Sequence, residues 1–255
     1  MSSRQESKKA AREARLAAEK EEASKQGRQR IWALVGGSVL LAAIVVVALI
    51  VISSGGSDDS ASETGDVSLF KGIQQSGNTL GDPDAPVTMV EFADLQCPFC
   101  KEYTANVMPD LVEKYVKSGD LRLELNLLTF IGTDSQTLAA AAYGAGQQDL
   151  MWQWVDVAYA RQGAENSGFA TSDFIDSVSE AAGANVSEVN DAAGSSEVSA
   201  QITDAADAGQ ATGISSTPSF QIGPTGGELT NLNVGKLETS EFEDAIDQQL
   251  ADAKK

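Results

Sequence analysis

Residues 87–100 read Val-Thr-Met-Val-Glu-Phe-Ala-Asp-Leu-Gln-Cys-Pro-Phe-Cys. Val87, Met89, Val90 and Phe92 form an apolar, β-prone run, and Tyr103, Val107, Leu111 and Val112 recur beyond it at helical spacing. The pattern predicts a strand, a turn carrying Cys97-Pro98-Phe99-Cys100, and a helix. A cysteine at a helix N-terminus faces unpaired N–H groups and the positive end of the helix dipole, which favour its thiolate. Cys97 is therefore the candidate nucleophile. A second thiol three positions on can attack a mixed disulfide formed at Cys97, so the pair makes a two-electron dithiol/disulfide couple.

These are the only two cysteines in 255 residues. A staple closing so short a loop stabilises by only roughly 2 kcal/mol, a weak reason for the pair. A structural zinc site needs about four nitrogen or sulfur ligands, and the chain has no histidine, so no metal is expected. The same absence removes Ser-His-Asp and Cys-His hydrolases and histidine general bases.

Working outward, residues 1–30 carry nine Lys/Arg against five Glu, a net of +4, with almost nothing to bury. Residues 31–52 hold no charge, and 22 helical residues span about 33 Å against roughly 30 Å of hydrocarbon, so a transmembrane helix is expected. The run exceeds the usual apolar core of a cleaved signal peptide and no small-x-small cleavage site closes it, which favours an uncleaved anchor. Residues 31–255 hold nine Lys/Arg against 32 Asp/Glu, a net of −23. The positive-inside rule then puts the tail in the cytoplasm and the acidic remainder outside the cell membrane, where disulfides persist. So acidic a surface is a poor partner for nucleic acid. Residues 53–66, rich in Ser, Gly and Asp, are expected to be a flexible linker reaching roughly 20 Å.

The folded region, residues 67–255, is expected to start near Val67 or Leu80, with Asp82-Pro83-Asp84-Ala85-Pro86 as a turn. After the cysteines a helix to Ser118 is expected, kinked at Pro109. Leu121, Leu123, Leu125 and Leu127 alternate with Arg122, Glu124 and Asn126, the period of a strand with one buried face. Residues 134–210 read as an all-helical insertion, with Met151, Trp152, Trp154 and Tyr159 as core. Asn185-Val186-Ser187 matches a glycosylation acceptor, a short match that carries little. Phe220 and Ile222, the Gly226-Gly227 turn, and Leu229, Leu232 and Val234 read as a hairpin. Ser240 to Glu243 reads as a capping box before a final helix burying Phe242, Ala245, Ile246 and Leu250.

In this order the elements give an α/β fold with a helical insertion ahead of the last two strands. Residues 80–253 resemble DsbA-like thiol-disulfide oxidoreductases, on the run Glu91 to Cys100 and on Gly213 to Gly223 with its Thr217-Pro218. The resemblance implies a thioredoxin-like fold, Cys97 as the exposed attacking sulfur and Cys100 as the shielded resolving one. It implies that Pro98 and Phe99 set the redox poise, and that Thr217-Pro218 forms a cis-proline loop aligning extended substrate. Glu91 becomes the buried acid that takes or relays the proton of Cys100. From the residues alone, Pro218 reads as the start of a strand, and Glu91 reads equally well as a strand residue facing solvent. The resemblance further implies exported proteins with free cysteines as substrates, a membrane quinone-linked reoxidant and no cofactor. Phe99 stands where the best-known periplasmic members carry histidine, so oxidase, reductase and isomerase directions stay open. A chaperone or substrate-binding module without redox turnover is the reading from another class.

Overall fold

The computed structural model describes residues 65–253. Among them no helix is long and apolar enough to cross a membrane, and the span expected over residues 31–52 lies outside them, as does the basic tail. Asp66 caps a 3-10 turn, Val67–Phe70, that buries Leu69 and Phe70. Strands β1 (Gln75–Ser76) and β2 (Thr79–Leu80) follow as a hairpin that the sequence reading passed over. Its signal was Gly77-Asn78, with Gly77 at φ 57°, between runs too short to show alternation.

The sheet is built around β3 (Val87–Ala93), with order β1-β2-β4-β3-β5-β6. β3 pairs in parallel with β4 (Leu121–Leu127) and antiparallel with β5 (Ser219–Pro224). All seven β3 residues are buried, as expected of a central strand covered on both faces. In β4 the four leucines are buried and Arg122, Glu124 and Asn126 are half-buried, as their alternation predicts. Each leucine contributes roughly 1.5–3 kcal/mol to the core. β6 (Thr230–Leu232) returns on β5 through Gly226-Gly227, where Gly226 lies at φ 74° and Gly227 N–H reaches Pro224 O.

Helix α1 (Pro98–Asn106) starts the crossover from β3 to β4. Pro98 occupies its first turn, where a missing N–H costs nothing. The single kinked helix expected as far as Ser118 is instead three pieces. Val107 distorts the helix at φ −116° and ψ −51°, α2 (Met108–Leu111) follows, and a π turn, Val112–Val116, completes the crossover. The break precedes Pro109 because the proline ring crowds the turn before it. Tyr103 of α1, Phe220 of β5 and Phe242 of the last helix, α8 (Thr239–Ala253), meet in tilted and edge-to-face pairs: Tyr103–Phe220 at 4.7 Å, Tyr103–Phe242 at 5.3 Å and Phe220–Phe242 at 4.9 Å between centroids. Such contacts add about 0.5–1.5 kcal/mol each beyond burial.

The insertion between β4 and β5 is helical: α3 (Thr133–Gly146), α4 (Met151–Ala160), α5 (Ser172–Ala182), α6 (Val186–Ala193) and α7 (Ser196–Ala211). Side chains of Thr171, Asn185 and Ser195 cap α5, α6 and α7. Trp154 is buried, with its Nε1 donating to Ser179 Oγ at 3.0 Å, so the aromatics of α4 are core. The expected capping box before α8 is absent. The helix begins at Thr239, before Ser240, and Glu241 turns back to accept the N–H groups of Gly235 and Lys236.

Candidate active site

β3 delivers the chain to Cys97, the N-cap residue of α1 in extended conformation. Its N–H donates to Asp94 O at 2.8 Å and its thiol donates to Thr217 O at 3.3 Å. Both cysteines are thiols. The resemblance implied an exposed attacking sulfur, and here the structure differs: Cys97 is only 5% exposed and Cys100 is sealed at 0%. The loop carrying Thr217, whose peptide bond to Pro218 is cis, lies against the Cys97 sulfur.

The two sulfurs are driven in opposite directions. Cys97 is lowered to about 6, chiefly by the hydrogen bond from the Cys100 thiol. Burial opposes this, while the Thr217 side chain and the N–H groups of Cys100 and Phe99 assist it. Cys100 is raised well above its ordinary value by burial, by its bond to Cys97 and by the charge of Glu91. At pH 7 a group of pKa about 6 has roughly ten thiolates per thiol, against about one in thirty for an unperturbed cysteine.

Glu91, in mid-strand between Leu125 of β4 and Phe220 of β5, is buried rather than facing solvent. Its carboxyl is raised to about 8, first by burial and then by Cys97, and its Oε1 has no hydrogen-bond partner. An acid protonated near neutrality thus lies within electrostatic reach of both sulfurs.

Phe99 is 60% exposed. With Glu102, Thr217, Pro218, Val234 and Leu237 it lines an open depression of about 350 Å³ beside the thiols. Phe130, the other exposed large apolar residue among those described, follows β4. Among the described residues no cluster of three or more His, Cys, Asp or Glu side chains could hold a metal ion.

Sequence reasoning assigned no role to Asp94. Its carboxylate is wholly buried and accepts Gln96 N–H at 2.9 Å, Ser135 Oγ at 2.6 Å and Ile131 N–H at 3.3 Å. Burial raises its pKa while these three donors pull it down. Gln96, also buried, donates to Ser135 Oγ at 2.8 Å. The signal available was a second acid, after Glu91, at the end of a mostly apolar strand. Nothing in the sequence pointed to Ser135.

The sequence pattern of the thioredoxin family matches residues 74–248. The chain belongs to the thioredoxin family. It is 36% identical over 102 residues to a probable disulfide bond formation protein D of Bacillus cereus, a match covering 39% of this chain and 47% of that protein. Disulfide bond formation protein D of Bacillus subtilis is 31% identical over 85 residues, 32% of this chain and 38% of its own. The chain thus spans less than half the length of the curated relatives it matches. Among solved structures, oxidised BdbD from Bacillus subtilis is similar at a TM-score of 0.60 and 20% identity, over 70% of this chain and 97% of the other. Alpha-DsbA1 of Wolbachia pipientis gives 0.60 at 20% identity, over 72% and 94%. These likenesses establish a thioredoxin-like α/β fold with a helical insertion.

Proposed function

We propose that this thioredoxin-family chain is a thiol-disulfide oxidoreductase working in the oxidising direction, and that it passes its Cys97–Cys100 disulfide to cysteines of exported proteins. The observation that carries the reading is the opposed bias of the two sulfurs, Cys97 drawn down to about 6 and Cys100 pushed well up. In the oxidised form a substrate thiolate attacks Cys97 Sγ, and the S–S bond breaks toward Cys100. Cys100, buried and averse to charge, takes up a proton, and the neutral carboxyl of Glu91 is placed to supply it. A second substrate thiolate then attacks the substrate sulfur of the mixed disulfide and expels Cys97. A low pKa makes Cys97 the better leaving group. The substrate loses two electrons and two protons to become a disulfide, and the protein ends as the dithiol.

In this reading Pro98 and Phe99 set the poise. The depression beside Thr217 and Pro218 receives extended substrate. Residues 31–52 anchor the domain outside the cell membrane, where a membrane quinone-linked partner returns it to the disulfide. The names of the Bacillus relatives support the redox chemistry. The charge asymmetry about residues 31–52 supports the location.

The test is to mix the oxidised full chain with a reduced two-cysteine protein and follow both disulfides. Stoichiometric transfer lost in Cys97→Ser is expected. Retained binding of unfolded protein without any transfer would instead identify a chaperone-like module.

A further inference from the structure

The loop that presents Cys97 is held from outside the thioredoxin core by one stretch of the insertion. Tyr159, buried in the last turn of α4, donates its hydroxyl to Asp94 O at 3.2 Å. Just past the end of α4, the side-chain amide of Gln162 donates to Leu95 O at 2.9 Å and to Cys97 O at 3.1 Å. Four residues on, Asn166 N–H donates to Gln96 Oε1 at 2.6 Å. Of the four carbonyls from Asp94 to Cys97, three are therefore taken by the side chains of residues 159 and 162.

Gln162 is itself fixed in place. Its N–H reaches Tyr159 O at 3.1 Å, and the next residue, Gly163, lies so close to Phe169 that a Cβ would come within 2.6 Å of the ring. Both N–H groups of one amide then bridge two carbonyls that flank the turn into α1. Cys97 has no side-chain cap bond to that helix, and its main chain is held by this clamp together with its own N–H on Asp94 O at 2.8 Å and the Lys101 N–H on Cys97 O at 3.2 Å.

We infer that Gln162 is a positioning residue for Cys97: by bridging Leu95 O and Cys97 O it holds the sulfur against the N–H groups of α1 and the Thr217 loop, so that the helical insertion governs the reactivity of the thiol. The inference rests on Cys97 being the reacting thiol of the proposed function. An amide that merely stabilised the fold would lower the unfolding midpoint and leave the ionisation of Cys97 alone. A positioning amide moves that ionisation.

The experiment compares Gln162→Met, which keeps length and removes both donors, with Ser179→Ala, which removes the partner of Trp154 Nε1 far along the same insertion. In the full chain, detergent-solubilised and reduced, the alkylation rate of Cys97 is measured from pH 4 to 9 alongside the melting temperature. Gln162→Met is expected to slow alkylation at pH 5 about tenfold, as the midpoint rises toward the ordinary thiol value, and to leave the rate at pH 9 nearly unchanged. Ser179→Ala is expected to melt earlier with the wild-type pH profile. A lower melting temperature for Gln162→Met with an unmoved profile would overturn the inference, and so would an equal displacement in Ser179→Ala. Where Gln162→Met does not fold, Gln162→Asn, whose shorter amide cannot span both carbonyls, is read by the same criteria. Disulfide transfer by the unmodified chain is scored separately, so its failure counts against the proposed function and not against the clamp.

Discussion

The thiol of Cys97 lies 3.3 Å from the carbonyl oxygen of Thr217, a contact between residues 120 positions apart. It joins the end of β3 to the loop before β5, with the whole helical insertion threaded between them. Anything that approaches the sulfur from the side of this contact meets the loop.

Selective ionisation follows from the opposed bias of the two thiols. Cys97 should be alkylated with a midpoint near pH 6, while Cys100 stays unlabelled up to pH 8. The Cys100 thiol is the largest cause of the low value, so Cys100→Ala should raise the Cys97 midpoint. Peptide mapping of the label against pH checks both statements. Preferential labelling of Cys100 would reverse the assigned roles.

Glu91 predicts a pH dependence of stability with a definite sign. Its folded value of about 8 lies above the 4.5 expected when unfolded. Between these the folded state keeps a proton that the unfolded state has released, so its contribution to stability falls as pH rises from about 4.5 to 8. Glu91→Gln removes that loss. The variant should gain on wild type by an amount growing across this window to on the order of 5 kcal/mol, measured by urea unfolding at several pH values. A stability difference flat with pH would mean that the carboxyl is ionised in the fold. In disulfide transfer the same variant should slow the step that protonates or deprotonates Cys100.

Asp94 ties β3 to the insertion, and Asp94→Ala would leave Ser135 Oγ and the N–H groups of Gln96 and Ile131 without their acceptor. Asp94→Asn keeps the volume and one acceptor oxygen, so its cost should be smaller, about 1–3 kcal/mol, against more than 3 kcal/mol for alanine. Denaturant midpoints at constant slope check the ordering. Equal losses below 0.5 kcal/mol, roughly the scatter of neutral surface changes, would deny the network its structural part.

The anchor proposed for residues 31–52 predicts a protease pattern. Added to intact spheroplasts expressing the full chain, protease should cut beyond residue 53 and spare residues 1–30. Cleavage confined to the first 30 residues would mean the opposite orientation.

Much of the fold was legible because burial imposes a period. The leucines of β4 alternate since one face is covered, and the stretch around Cys97 and Cys100 carries its own strand, turn and helix signals. The hairpin Gln75–Leu80 was missed because two-residue strands are too short to have a period. The three-part crossover was read as one kinked helix because Val107 and the π turn keep helical spacing in the sequence. The cysteine pair was legible from its spacing. The burial of Glu91 was undecidable, since a lone acid in a strand looks the same on either face. The groups holding the loop, Ser135 and Gln162, lie 41 positions from Asp94 and 65 from Cys97, and such contacts leave no local trace in a single sequence.

The reduction potential of the Cys97–Cys100 couple, determined by equilibration with a series of glutathione redox buffers, tests the central claim most directly. A thiolate stabilised in the reduced form makes the disulfide easier to reduce and hence more oxidising. The account predicts a potential above about −200 mV, on the oxidising side of thioredoxin at about −270 mV. A value at or below about −270 mV would make the protein a reductant and contradict it.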